Sequence, residues 1–239
     1  MSRHLLNTRP AEDAASLTHA LEARGHRVTA SPLLDIQFVA NATLDLAGVA
    51  GLLATSANGV RAFARSSTRR DLPLYAVGDA TARTATDAGF DQVHSAAGDV
   101  ETLAGLVIEH CDPAAGALLH VAGTRIAGDL AGRLEAAGFE VCRAVLYRAE
   151  TAQELPDMVL AGLNDGMIDG VMFFSPRTVR QFVNLLRDAG LETAVASADV
   201  FCLSATVAEA ADVLNWRSVY VAARPDQDAL LRLIDEAQN

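Results

Sequence analysis

Short apolar runs with a period of two alternate along the chain with longer stretches whose apolar positions recur every three to four residues. His4 to Thr8 reads as a strand, and Pro10 opens a helix with Ala14, Leu17 and Leu21 on one face, stopped by Gly25. Val28 to Leu34 is a second strand around Pro32. Asp35 to Thr43 is extended and mixed in polarity, which suits a connection better than a core strand. Leu52-Leu53-Ala54 then closes an apolar run, and the polar turn Thr55-Ser-Ala-Asn-Gly-Val-Arg-Ala-Phe63 leads into a helix carrying Val60 and Phe63. Leu72 to Val77 is a strand, Gly78-Asp-Ala-Thr-Ala-Arg83 opens a helix that ends at Gly89, and a short strand begins near Val93. Leu103, Leu106, Val107 and His110 mark one more helix, and Glu109 to Gly116 is a loop of ordinary length.

From Leu118 the pattern begins again. Ala127, Leu130, Leu134 and Gly138 match Ala14, Leu17, Leu21 and Gly25 at a constant offset of 113, and Val141 to Leu146 repeats the second strand. Thr151 to Asp157 is a second polar connection. Phe174-Ser-Pro-Arg-Thr-Val-Arg-Gln-Phe182 then repeats Thr55–Phe63 at offset 119, after the apolar run Val171-Met172-Phe173. Phe201-Cys-Leu-Ser-Ala-Thr-Val-Ala208 parallels Tyr75-Ala-Val-Gly-Asp-Ala-Thr-Ala82 at offset 126. Ser218 to Ala222 is the last strand and Asp228 to Ala237 the last helix. Because the offsets change only between elements, the chain is an internal duplication of about 115 residues. Strands alternating with helices predict α/β architecture, with two parallel sheets covered by helices on both faces. Right-handed crossovers place every polar turn at the carboxyl edge of its sheet, where such folds bind ligands.

Two divisions into domains fit this pattern. One cuts at the repeat boundary. The other cuts at the two polar connections, giving an inserted domain of residues 39–149 and an outer domain made of 1–38 and 150–239, joined by two chain crossings. Phe38 to Leu46 and Ala149 to Pro156 are the least core-like segments, which favours the second division and predicts a cleft between facing carboxyl edges.

Composition narrows the chemistry. The formal charge is −11, which disfavours nucleic acid or an anionic membrane as the main partner. All 19 basic residues are arginine, so a Schiff-base lysine, a lysine general base and the lysine of a P-loop are excluded. No export signal opens the chain and no apolar run approaches the ~18 residues that span a bilayer, so a cytoplasmic location is expected. Cys111, Cys142 and Cys202 lack disulfide or metal spacing and read as reduced structural thiols. Gly123 and Gly128 do not form a dinucleotide fingerprint. His120 falls inside a strand and His94 near another, positions of packed or surface histidines rather than bases. Asp79 is the acidic residue at a carboxyl-edge turn, as a site group or a helix cap.

What gathers at the edges is a set of neutral donors and arginines suited to a polyanion: Thr8 and Arg9; Ser56 and Asn58; Gly78 and Thr81; Gly123, Thr124 and Arg125; Arg148; Ser175, Arg177 and Thr178; Ser204 and Thr206. Ser56 and Ser175 read equally well as helix caps. Tyr147 ends the repeated second strand. A phenol there either donates a proton while uncharged at neutral pH or packs as a partly buried aromatic.

The order of these motifs resembles the uroporphyrinogen-III synthase family over essentially the whole chain. The resemblance is carried by Leu6-Asn-Thr-Arg-Pro10, Thr55-Ser-Ala-Asn-Gly-Val60, Val77-Gly-Asp-Ala-Thr-Ala82, Leu146-Tyr147, Phe173-Phe-Ser-Pro-Arg-Thr-Val179, Leu203-Ser-Ala-Thr-Val-Ala208 and Ala223-Arg-Pro225. It implies two flavodoxin-like domains joined by a two-stranded linker, the outer one built from both termini, and a lyase that takes the linear tetrapyrrole hydroxymethylbilane, expels its terminal hydroxyl as water, closes the macrocycle and inverts ring D through a spirocyclic pyrrolenine. It further implies no metal or organic cofactor, a monomer in haem and wider tetrapyrrole synthesis, and transient contact with the enzyme that supplies the substrate. The family's tyrosine falls on Tyr147, as donor to the leaving hydroxyl, and its threonine falls on Thr81. At the repeat-related place the usual glycine and second threonine are Ser204 and Val207 in this chain, with Thr206 one position earlier. The alternative is a two-domain binding or regulatory protein closing on an anionic small metabolite. A glycosyltransferase-like α/β protein would need a nucleotide-sugar site that the sequence does not display.

Overall fold

The computed structural model describes residues 2–40, 42–126 and 128–237. The elements in chain order are β1 (His4–Asn7), α1 (Ala11–Glu22), β2 (Arg27–Ala30), β3 (Leu34–Phe38), β4 (Val49–Ala54), α2 (Ala57–Ser66), β5 (Leu74–Ala76), α3 (Asp79–Asp87), β6 (Val93–Ser95) and α4 (Val100–His110). After them come β7 (Ala117–Gly123), α5 (Leu130–Ala136), β8 (Val141–Thr151), α6 (Asp157–Asn164), β9 (Gly170–Phe173), α7 (Pro176–Asp188), β10 (Asp199–Cys202), α8 (Ala205–Ala211), β11 (Ser218–Val221) and α9 (Gln227–Glu236). Contacts group the chain into two compact units. The outer unit is Met1–Asp35 with Glu150–Asn239, and the inner unit is Ile36–Ala149.

The outer sheet is parallel throughout, in the order β2-β1-β9-β10-β11. The inner sheet has the order β3-β8-β7-β4-β5-β6 and is parallel from β8 to β6. Through the repeat offsets, β1 and β2 correspond to β7 and β8, and β4, β5 and β6 to β9, β10 and β11. Five strands of each sheet therefore share the same flavodoxin-like order, two from one repeat and three from the other, and the inner sheet adds β3 of the first repeat at its edge. The two copies of the duplication interlock: neither has a complete sheet by itself.

Strand alternation builds an apolar core on each face of each sheet. In the outer unit Leu6, Val171, Phe173 and Val200 face one way, toward α6, α7 and α8. Leu5, Met172 and Phe201 face the other way, toward α1 and α9. In the inner unit Leu52, Ala54, Leu74, Leu119 and Val121 meet α2 and α3, while Leu53, Tyr75 and Leu118 meet α4 and α5. The expected faces of α1 and α5 are buried at Ala14, Leu17, Leu21, Leu130 and Leu134. Ala127 lies outside the described residues.

Three features depart from the sequence reading. Asp35 to Thr43, expected as a connection, begins within β3, which pairs at the sheet edge with β8. β8 itself runs on to Thr151 instead of stopping at Leu146. β8 beyond Leu146 alternates half-buried and exposed residues, β3 buries only Ile36, and backbone pairing at an edge needs no apolar run. Third, α6 buries Val159, Gly162 and Leu163 where no helix was expected, its short pattern being broken by a glycine. Among the described residues no helix is long and apolar enough to cross a membrane.

Candidate active site

The carboxyl edge of the inner sheet carries the sequence-predicted turns after β4, β5 and β7, and two of them, at Ser56 and at Gly123–Thr124, meet Tyr147. β8 carries a bulge against β7: Ala122 pairs with Val145, but Gly123 pairs with Tyr147. The extra residue lets two consecutive side chains, Leu146 and Tyr147, turn to the same core, the one under α2 and α3. Tyr147 is held there from three sides. Its carbonyl accepts from the Thr124 amide at 3.0 Å. Its phenolic oxygen lies 2.8 Å from the Ser56 hydroxyl. Its ring lies over Gly123, where a Cβ would stand 2.8 Å from two ring carbons, so only glycine leaves the ring its place.

Ser56 is the N-cap of α2 and accepts from the Gly59 amide at 3.2 Å. The cap reading of this serine therefore holds. Asn58, in the first turn of the helix, accepts from Arg61 Nη1 at 2.9 Å. α2 sits unusually close to the sheet at its first turn, because a Cβ on Gly59 would be 2.3 Å from the Val121 carbonyl oxygen. Gly78 is the N-cap of α3 in extended backbone, and Thr81 in the first turn of α3 is 6% exposed. Asp79 accepts from the Ser95 hydroxyl at 2.7 Å, which ties α3 to β6. Arg125 is exposed beyond β7, and Arg148, next to Tyr147, donates to Gln37 Oε1 at 2.8 Å.

Sequence reasoning missed the layer behind this edge. His120 on β7 is buried, with Nε2 3.1 Å from the Thr55 hydroxyl, the residue before Ser56. Arg143 on β8 donates to the carbonyls of Gly123 and Thr124 at 2.6 and 3.1 Å, fixing the turn that faces Tyr147. One signal was available: His120 stands at offset 113 from Asn7, and both are polar residues inside apolar strands. Asn7 is fully buried and donates to the Ala14 carbonyl at 3.1 Å, bracing α1 as His120 braces the β4 turn.

Burial, with the Arg143 guanidinium nearby, pushes the His120 imidazole down from 6.5 to about 4. The unfolded chain takes up this proton near pH 6.5 and the folded chain only near pH 4. The stability it confers is thus full above pH 6.5 and falls as the pH drops toward 4. The expected loss between pH 7 and pH 5 is about 2 kcal/mol. Urea unfolding of the wild type should show it, and a His120→Asn variant should have a flatter dependence; equal slopes would locate the acid sensitivity elsewhere.

In the outer unit the corresponding turns are more fully occupied. Thr8 is fully buried and donates to the Met172 carbonyl at 2.6 Å, so its hydroxyl ties β1 to β9 and is not available at the surface as expected for a substrate contact. Arg9 stacks over Phe174, 4.2 Å from the ring centroid, and donates to Gln227 at 2.8 Å. Ser175 caps α7 and accepts from the Thr178 amide at 3.2 Å, while the Thr178 hydroxyl donates to the Ser175 carbonyl at 2.8 Å. Arg177 is half-buried. Ser204 stands at the N-cap of α8 without a side-chain cap bond, Thr206 is exposed and Val207 is buried. Cys111 and Cys142 are partly and fully accessible, and burial pushes the Cys202 thiol up to about 12. No group of three or more His, Cys, Asp and Glu among the described residues could hold a metal ion.

The family model described as uroporphyrinogen-III synthase HemD matches residues 15–232. The chain belongs to this family. Among solved structures, the uroporphyrinogen-III synthetase of Helicobacter pylori is similar at 16% identity and TM-score 0.65, over 99% of this chain and 100% of that one. A mutant uroporphyrinogen III synthase from the extremely thermophilic bacterium Thermus thermophilus is similar at 16% identity and TM-score 0.58, over 99% of each chain. These likenesses concern the fold, and no curated protein sequence matches the chain significantly. As a uroporphyrinogen-III synthase family member the chain is a lyase of porphyrin and tetrapyrrole biosynthesis. Its reaction closes hydroxymethylbilane to uroporphyrinogen III.

Proposed function

We propose that the chain carries out this family reaction with Tyr147 as the proton donor to the departing hydroxyl and with the edge donors holding the substrate's carboxylates. The pyrrole nitrogen lone pair pushes the terminal hydroxyl out, the Tyr147 proton joins it to leave as water, and the exposed methylene carbon becomes the electrophile. Attack by the substituted carbon of ring D gives the spirocyclic pyrrolenine. Its rearrangement inverts the ring, and the proton lost on rearomatisation restores the phenol. Loss of water leaves the oxidation level unchanged, so the balance calls for no redox partner.

The single observation that carries this reading is the Tyr147 hydroxyl, held at the carboxyl edge by Ser56 at 2.8 Å and by a glycine with no room for a side chain behind it. Such fixing favours an ordered encounter over a random one, which is where enzymes gain several kcal/mol. Arg148 follows Tyr147 in the chain and Arg125 lies two residues beyond its strand partner Gly123, and both supply charge for a substrate with many carboxylates, against the acidic balance of the whole chain. Thr81, in the first turn of α3, is the hydroxyl assigned to the leaving group or to substrate. In the outer unit Arg9, Ser175, Arg177, Ser204 and Thr206 are assigned to carboxylates, on the strength of their place at the equivalent turns. We place the enzyme in the cytoplasm as a monomer that receives its substrate directly from the preceding enzyme.

Incubation with freshly generated hydroxymethylbilane, followed by separation of the uroporphyrinogen isomers, tests the reading. Isomer III should dominate and form faster than spontaneous closure. Isomer I alone, at the spontaneous rate, would reject it in favour of a binding protein for an anionic metabolite.

A further inference from the structure

A serine oxygen has one proton and two lone pairs. In Ser56 one lone pair is taken by the Gly59 amide at 3.2 Å, at the first turn of a ten-residue helix. The contact to Tyr147 at 2.8 Å is then made in one of two directions. If Tyr147 donates to Ser56, the phenolic proton is tied up within the protein. If Ser56 donates to Tyr147, the phenolic oxygen is the acceptor and its own proton is directed outward.

We propose that Ser56 is a positioning residue that donates its hydroxyl proton to the Tyr147 oxygen, leaving the phenolic proton free for the leaving group. This rests on the assignment of Tyr147 as the acid. It replaces a carboxylate-gripping role for Ser56 with one exerted through the phenol. Three features of the site support the direction. The Gly59 amide withdraws density from the Ser56 oxygen and so strengthens its O–H as a donor. The α2 amino terminus favours negative charge, which the phenolic oxygen acquires as its proton leaves. The contact also becomes a charge-assisted hydrogen bond at that moment, about twice as strong as before, so its help falls on the transition state and not on binding. Reprotonation of the phenol restores the starting pattern, and Ser56 keeps its own proton at every step.

The arrangement is rigid for reasons elsewhere in the unit. Gly123 leaves the ring no alternative support, and Arg143 and the Thr124 amide fix the backbone beside it. His120 does the same for the turn carrying Ser56 by engaging Thr55 at 3.1 Å. In the outer unit Ser175 occupies the equivalent cap, but its hydroxyl partner is Thr178 of its own helix at 3.2 Å. The cross-strand phenol contact belongs to the inner unit.

The test is a set of substitutions read by steady-state kinetics and isomer ratio. Ser56→Ala should lower kcat about tenfold with KM unchanged, the size expected from losing one charge-assisted contact in the transition state. Ser56→Thr, which keeps the donor, should restore most of it. Ser56→Asp caps a helix as well as serine but accepts only, so it should melt like wild type and still be slow. In a Tyr147→Phe background Ser56→Ala should cost nothing further, because its route to the substrate is already gone. A raised KM, or a full additional loss in that background, would make Ser56 a substrate contact and overturn the proposal. If Tyr147→Phe by itself left the rate unchanged, the assignment of the acid would fail first, and the proposal with it.

Discussion

Tyr147→Phe should slow formation of isomer III by about a hundredfold or more, within the range that a positioned general acid contributes, and shift what product remains toward isomer I. The substitution removes one oxygen. The ring keeps its place over Gly123 and its packing against the core under α2 and α3. The lost contact with Ser56 is a hydrogen bond worth about 1 kcal/mol, so the melting temperature should move by only about 2–4 °C. A large kinetic loss with a small thermal one separates chemistry from folding. The alternative sequence reading, a packed aromatic at the site's rim, predicts the reverse: an unaltered rate of isomer III formation would establish it.

Gly59→Ala should damage the inner unit severely for so small a change. A methyl group there would lie 2.3 Å from the Val121 carbonyl oxygen, and backbone cannot swing aside as a long side chain can. α2 must lift from β7 or tilt, at a cost of about 1–3 kcal/mol by the usual scale of overpacking and a fall in melting temperature of about 3–10 °C. The Gly59 amide is also the donor to Ser56, so the lift should pull the serine from Tyr147 and reduce kcat together with stability. Thermal melting and isomer analysis on one preparation check both. Wild-type stability would mean that the helix has slack at its first turn. The outer unit offers the control: at the equivalent position stands Thr178, buried with its hydroxyl bonded to the Ser175 carbonyl, so α7 tolerates a side chain where α2 does not.

Much of this molecule was readable before any coordinates. Leu52-Leu53-Ala54 and Val171-Met172-Phe173 lead into matching polar turns, and the constant offsets between them established the duplication and the alternation of strand and helix. The caps at Ser56 and Ser175 follow from the same pattern, because a hydroxyl before an amphipathic run satisfies amides that the helix leaves open. These features are local: a periodicity of two or of about 3.6 depends on residues a few positions apart, and a cap reaches only about three residues ahead.

What lay beyond the sequence depends on residues far apart in the chain. Thr8 and Ser56 look alike as hydroxyls at strand ends, yet one is spent on the Met172 carbonyl and the other meets Tyr147, 91 positions away. Val145, Leu146 and Tyr147 form an unbroken apolar run, and nothing in it announces the bulge that turns Tyr147 to the same side as Leu146. The bulge exists because β8 is registered against β7, and Gly123 matters because the ring lands on it. The elements, their duplication and the kinds of groups at the turns are all legible in the residue pattern. Which hydroxyl is spent on backbone and which lies against the Tyr147 phenol follows from the assembled sheet, since strand register and backbone approach are set by packing across it.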